Sequence, residues 1–287
     1  MLKGSIVALV TPFAENGAVD RPALQALVDW HLEAGTEALV IGGTTGESSS
    51  LSSDELLSII ELTLERVQGK IPVIVGNGAI STAKSIEITQ QLNHLPINGF
   101  LCVTPYYVKP SQAGLIAHFH QVAEAAQHPL YLYNVPGRTC CDLINDSVFQ
   151  LAEHENIVGI KDATGDIGRA KELIERLDGQ FCLLSGDDAT SFEFMQLGGH
   201  GVISVTSNVV PELMSQRCWL IIENRIEEAR VIEQQIASLH QLLFAEANPI
   251  PAKWALSYLG KLKNHLRLPL TPLVEQRDAL QAALDSL

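Results

Sequence analysis

The sequence predicts an α/β fold, a closed (β/α)8 TIM barrel with a C-terminal helical extension. Three observations predict it. Eight short runs rich in Val, Ile and Leu recur, with starts 20 to 33 residues apart, the length of one strand–helix unit. The runs are apolar at consecutive rather than alternate positions, as strands of a parallel sheet covered on both faces are. No Pro/Gly/Ser-rich linker divides the chain, so eight units in ~210 residues favour one closed barrel over an open, doubly wound sheet.

In chain order the strands are expected at "SIVALVTPF" (5–13), "ALVIGGTTG" (38–46), "IPVIVGNG" (71–78) and "GFLCVTPYY" (99–107), then "PLYLYNVP" (129–136), "IVGIKDA" (157–163), "FCLLSGDD" (181–188) and "GVISVTS" (201–207). Of the helices between them, "SSDELLSIIELTLERV" should take Ser53 or Asp54 as its N-cap and bury Leu56, Ile59, Ile60 and Val67 on one face. "STAKSIEITQQL" should start on a Ser-Thr cap and bury Ile86 and Leu92. Residues 1–222 read as the barrel and 223–287 as a helical appendage packed on it.

The totals exclude several function classes. With 46% hydrophobic and 18% charged residues, the 287-residue chain has the composition of a folded globular protein. Its 19 basic and 33 acidic side chains give −14, which argues against nucleic acid or an anionic membrane as partner. No apolar stretch reaches the ~18 residues of a membrane span. The five cysteines are odd in number and lack C-x-x-C spacing, which fits reduced thiols in a cytoplasmic protein better than a disulfide framework or structural zinc. His118 and His120 lie two apart on an expected helix and point to different faces, so metal-dependent chemistry has little support.

Active sites of such barrels lie at the C-terminal ends of the strands. There, Lys161 stands in "IVGIKDATGD", where leaving water is costly for an ammonium. Period-two alternation puts it on one face with Ile157 and Gly159, the glycine leaving space beneath its stem. An ordinary lysine, with a pKa near 10.4, is neutral in about one molecule in 2,500 at pH 7. Apolar surroundings favour the neutral amine, the nucleophile that forms a Schiff base with a carbonyl. The competing reading is a lysine that snorkels to a carboxylate at the rim. Tyr133 ends the preceding strand, ~4.8 Å away, where a phenol can shuttle protons for carbinolamine formation and collapse; the bland alternative is a core aromatic. "GGTTGE" (42–47) lacks the ending of a P-loop, but its backbone N–H groups and the Thr44 and Thr45 hydroxyls suit a small carboxylate. Arg138 in "NVPGRT" is a natural bidentate carboxylate holder, or else a surface arginine.

"GTTGES" (43–48), "TPYY" (104–107), "YNVPGRT" (133–139), "GIKDATGD" (159–166), "LLSGDD" (183–188) and "LGGHGVISV" (197–205) together resemble dihydrodipicolinate synthase, with near-uniform spacing over almost the whole chain. The resemblance implies a lyase that condenses pyruvate with L-aspartate 4-semialdehyde to 4-hydroxy-tetrahydrodipicolinate, on the way to diaminopimelate and lysine. It implies no cofactor, only a covalent imine between Lys161 and the substrate pyruvate. Tyr133 would be the centre of a proton relay with Thr44 and Tyr107. Thr45 and the backbone at Ile203 would hold the pyruvate carboxylate, and Arg138 the carboxylate of the aldehyde. Tyr107 would enter the neighbouring subunit's site, in a homotetramer built as a dimer of dimers. Sister enzymes such as N-acetylneuraminate lyase or keto-deoxy-sugar-acid aldolases share the lysine and tyrosine and are the nearest alternative; a non-catalytic keto-acid-binding barrel is a more distant one.

The sequence also departs from the family pattern. Asp162 replaces a frequent Glu, and Gly137 and Cys140 stand where "SRTG" is common, so that Cys140 puts a Cβ where glycine permits unusual backbone angles. Feedback-sensitive members carry His at the position of Leu56, Asn at Ile80 and Glu at Lys84, so inhibition by lysine is expected to be weak or absent here.

Overall fold

The computed structural model describes residues 1–177 and 179–287. Eight parallel strands hydrogen-bond in sequence order as a closed barrel: β1 (Gly4–Ala8), β2 (Ala38–Ile41), β3 (Val73–Gly76), β4 (Gly99–Val103), β5 (Leu130–Asn134), β6 (Ile157–Asp162), β7 (Cys182–Ser185) and β8 (Gly201–Ser204). Every expected strand is present and starts within two residues of its expected position. Each ends earlier than expected, because its polar tail ("GGTTG", "TPYY", "GDD") belongs to the loop beyond. The chain packs as two compact units, residues 1–3 with 73–203 and residues 4–72 with 204–287.

The first unit holds α3 (Thr82–Leu92), α4 (Gln112–Ala125), the short α5 (Pro136–Thr139), α6 (Asn145–Leu151), α7 (Ile167–Leu177) and α8 (Ser191–Gln196). Ser81 caps α3, accepting from the Lys84 N–H. Leu92 is buried as expected, but Ile86 is only half-buried. Ser85 and Thr89 occupy the inner face instead, because their hydroxyls serve the adjoining loop: Ser85 Oγ accepts from Ala79 N and Thr89 Oγ1 from Asn77 Nδ2, both at 2.9 Å. The β5–β6 ladder contains a bulge. Leu130 pairs with Ile157 and Tyr131 with Gly159, so Val158 is left over. A one-residue slip reverses the faces. Ile157 therefore joins the face of Leu130, not that of Lys161, while Gly159 and Lys161 stay together.

The second unit holds α1 (Arg21–Glu33), α2 (Ser53–Val67), α9 (Pro211–Ile222), α10 (Ile226–Leu242), α11 (Ile250–Tyr258) and α12 (Arg277–Asp285). The cap of α2 is Ser52, one residue before the expected positions. Ser52 Oγ accepts from Glu55 N and Glu55 Oε2 accepts from Ser52 N, a reciprocal capping box. Ile59, Ile60 and Val67 are buried as expected, and Leu56 is half-buried. Leu56 lies where a Cβ on Gly42 would fall, 2.7 Å from its Cδ1.

No helix among the described residues is long and apolar enough to cross a membrane, and the described cysteines form no disulfide.

Glu37, just before β2, gives the fold a pH dependence. Its carboxylate accepts from Ser5 N (2.8 Å) and Ser215 Oγ (3.0 Å), yet burial pushes it up from 4.5 to about 7. The folded chain therefore keeps a proton there that the unfolded chain releases. The resulting stabilisation is complete below about pH 4.5 and is lost as pH rises through about 7. It amounts to no more than about 3 kcal/mol. Thermal melts of wild type should fall between pH 5 and pH 8 more steeply than those of Glu37→Gln; parallel curves would rule this out.

Candidate active site

Lys161 lies near the end of β6 and is 6% exposed; Tyr133 near the end of β5 is 7% exposed. The two are register partners. The Lys161 amine sits over the phenol ring, 4.3 Å from its centroid. The amine is thus held against the aromatic face, and the neighbouring carboxylate, Asp162, points to the opposite, helix-facing side. There Asp162 accepts from Asn134 Nδ2 (3.0 Å) and Thr164 Oγ1 (2.6 Å), with Arg169 Nε on α7 at 3.6 Å. Burial pushes the Asp162 carboxyl up, and the Thr164 hydroxyl and the Arg169 charge oppose that shift.

Asn134 ties the two strand ends to the loop that follows Arg138. Besides donating to Asp162, its Nδ2 donates to Asp142 Oδ1 (2.8 Å) and its Oδ1 accepts from Leu143 N (3.0 Å). Arg169 closes the network on Asp142 (2.9 Å) and the Leu143 carbonyl. Period-two alternation is what separates the tasks: Tyr133 and Lys161 share one face, and Asn134 and Asp162 brace the other.

The space around the lysine stem differs from expectation. A Cβ on Gly159 would meet Cys182 O at 2.5 Å and Tyr131 Cδ1 at 2.8 Å, so that space is filled by β7 and the Tyr131 ring. The residue that makes room for the stem is Gly186, just past β7, where a Cβ would lie 2.8 Å from Lys161 Cε and 3.0 Å from Cγ. Gly186 went unremarked in the sequence, although a glycine ending a strand beside a functional lysine signals close approach. Gly186→Ala should displace the amine. A shift of ~1 Å costs on the order of 10²-fold in rate, so we expect such a loss, with a lowered melting temperature because the new Cβ also meets Ala163 Cβ at 2.7 Å. Unchanged turnover would show that Lys161 repacks without consequence.

Apart from Ile203, the other candidates lie in the loops beyond the strands. Arg138 is exposed on α5, and Cys140 behind it adopts the left-handed conformation, φ +56, at the position flagged as one for glycine. Tyr107, past β4, is 84% exposed with φ +72. Ile203 is buried in β8. In the second unit, Thr44 is half-buried and Thr45 buried in the turn after β2. The Thr44 carbonyl accepts from Glu47 N (3.1 Å), and Thr45 Oγ1 accepts from Asn248 Nδ2 (2.9 Å). His118 is buried against Thr82 and Cys102, whereas His120 stacks edge-on with His154. Among the described residues no group of three or more His, Cys, Asp or Glu could hold a metal ion. An amine on an aromatic face beside a phenol can attack a carbonyl and exchange protons without one.

Known proteins resemble this chain over nearly its whole length. The 4-hydroxy-tetrahydrodipicolinate synthase of Escherichia coli O139:H28 is 51% identical over 286 residues, 99% of this chain and 98% of that protein. The chloride-inhibited dihydrodipicolinate synthase of Acinetobacter baumannii, solved in complex with pyruvate, is 49% identical with a TM-score of 0.98, over 100% of this chain and 99% of that one. A monomeric dihydrodipicolinate synthase variant is 39% identical with a TM-score of 0.96, over 99% of this chain and 96% of that one. The model of the dihydrodipicolinate synthetase family matches residues 1–287, and the chain belongs to that family.

Proposed function

We propose that this chain is a 4-hydroxy-tetrahydrodipicolinate synthase, a lyase that condenses pyruvate with L-aspartate 4-semialdehyde. The observation that carries the reading is the Lys161 amine over the Tyr133 ring at the paired ends of β5 and β6. The Lys161 amine adds to the pyruvate carbonyl to give a carbinolamine, which loses water to an imine. Removal of a proton from the pyruvyl methyl gives an enamine, whose carbon attacks the aldehyde and forms the new C–C bond. The substrate's own amine then adds to the imine carbon, closes the ring and expels Lys161. Each proton movement needs a donor or acceptor, and Tyr133, in relay with Thr44 and Tyr107, supplies it. Thr45 and the backbone at Ile203 hold the pyruvate carboxylate, and Arg138 the aldehyde's carboxylate. The covalent imine makes a cofactor unnecessary. The working form is a homotetramer, a dimer of dimers; the exposed, left-handed Tyr107 suits a residue that completes a neighbour's site.

The deciding assay is pyruvate with L-aspartate 4-semialdehyde, coupled to a reductase that consumes the product. Turnover with N-acetylmannosamine or a sugar aldehyde instead would identify a sister aldolase.

Free lysine should inhibit weakly or not at all. Lys84 presents an ammonium where an effector ammonium would need an acid, and its own partner is Glu87 at 2.8 Å. Ile80, half exposed to solvent, offers no amide. Allosteric coupling is typically about 1–3 kcal/mol, so a reversal of charge suffices to remove it. Initial rates measured up to roughly 10 mM lysine check this; sub-millimolar inhibition would refute it.

A further inference from the structure

The chain buries a second lysine that the proposed reaction does not use. Lys253 on α11 has no exposed surface, and its Nζ donates to Glu47 Oε1 at 2.6 Å. The Glu47 side chain is itself 1% exposed. The same carboxylate accepts from Arg267 N at 3.2 Å. Lys253 Nζ lies 4.2 Å and the Arg267 guanidinium 4.3 Å from the centroid of the Phe13 ring. Burial pulls the Lys253 amine below its ordinary range, and the Glu47 charge opposes this.

A buried ion pair is weak evidence for stability, since a well-packed apolar pair often serves as well. Its location is the informative part. Glu47 ends the turn that carries Thr44 and Thr45, and its N–H donates to the Thr44 carbonyl. It also holds φ +54, a left-handed conformation that a non-glycine residue adopts only against a steric cost. The same C-terminal segment reaches the turn again through Asn248, which donates to Thr45 Oγ1. A side chain anchored at both carboxylate oxygens is what keeps such a turn in one conformation.

We propose that Lys253 and Glu47 are positioning residues: their buried ion pair fixes the Thr44–Thr45 turn in the geometry that captures the keto-acid carboxylate. The inference rests on the reading above, in which Thr45 contacts pyruvate. It gives the C-terminal helical segment a part in substrate binding.

Removing one partner strands a buried charge and risks unfolding, so the informative variant is the neutral pair Glu47→Gln with Lys253→Met, which keeps volume and removes both charges. In the assembled enzyme this double variant should melt within a few degrees of wild type. Its pyruvate KM should rise by about tenfold or more, while the KM for the aldehyde stays within about twofold. Lys253→Arg, which keeps a charged donor, should recover much of the pyruvate affinity. A folded double variant with wild-type pyruvate KM, or one in which both KM values rise together, overturns the proposal. Thr45→Val, run in parallel, tests the underlying reading separately. If Thr45→Val leaves pyruvate KM unchanged but the double variant raises it, the pair's hold on the turn stands and Thr45's contact with pyruvate is the part that fails.

Discussion

Reduction with borohydride in the presence of pyruvate should leave one stable pyruvyl group on this chain, at Lys161, and Lys161→Ala should take none. The expectation comes from the amine's setting. Lys161 is nearly buried, its partner across the ladder is a phenol, and its neighbouring carboxylate faces away. Lys253, also buried, is committed to Glu47 and should remain unlabelled. Turnover of Lys161→Ala should drop by at least on the order of 10³-fold, since the amine proposed to form the imine is gone. Tyr133→Phe separates binding from proton transfer. It keeps the ring beneath the amine and removes the hydroxyl, so the imine should still form, more slowly. Steady-state turnover should fall by about 10²–10⁴-fold, the usual contribution of a general acid–base group. Peptide mass mapping after reduction reads the first expectation and the coupled assay the second. Equal labelling of Lys161→Ala, or no label on wild type, would remove the imine mechanism.

The barrel was legible because each strand is an uninterrupted apolar run, a signal carried by adjacent residues. Lys161 and Tyr133 were legible for the same reason: each is a polar residue at the end of such a run, one strand–helix unit apart. Finer features failed where one residue changes the outcome. The bulge at Val158 reverses the face of Ile157, and nothing in "NIVGI" marks it. Ser52 rather than Ser53 caps α2, because Glu55 lies three residues beyond Ser52 and completes the reciprocal pair.

Beyond the Tyr133–Lys161 pair, which strand adjacency made legible, contacts between distant parts of the chain were not. Gly186 makes room for a lysine 25 residues before it, and Glu47 meets a lysine |i−j| = 206 away. Each residue looks ordinary in its own window: a glycine in a turn, an acid after "GTTG", a lysine in an apolar helix. Only the pairing of β6 with β7 makes Gly186 a neighbour of Lys161. The proposed division of labour follows from the same topology. Residues that carry chemistry alternate with residues that brace them, so Asp162 can differ from a glutamate without touching the substrate face.

Tyr107 offers the sharpest test of assembly. Its side chain is 84% exposed in the single chain, on a backbone of φ +72, which is a costly way to present a large apolar ring to water. A neighbouring chain that receives the ring removes that cost. Tyr107→Phe keeps the ring and loses only the hydroxyl, so it should assemble normally and turn over about 10²-fold more slowly. Mixing it with Lys161→Ala under conditions where chains exchange then gives a clear result. In a mixed dimer, the site built on the Tyr107→Phe chain has its own lysine and receives an intact tyrosine from its partner. The other site lacks the lysine. Half of the randomly formed dimers are mixed and one of their two sites is complete, so recovery should approach about one quarter of wild-type activity. If Tyr107 served its own chain, no site in any dimer would be complete, and activity would stay at the level of the separate variants. Proven mixed dimers without recovery would therefore place Tyr107 in its own subunit's site or outside the relay altogether.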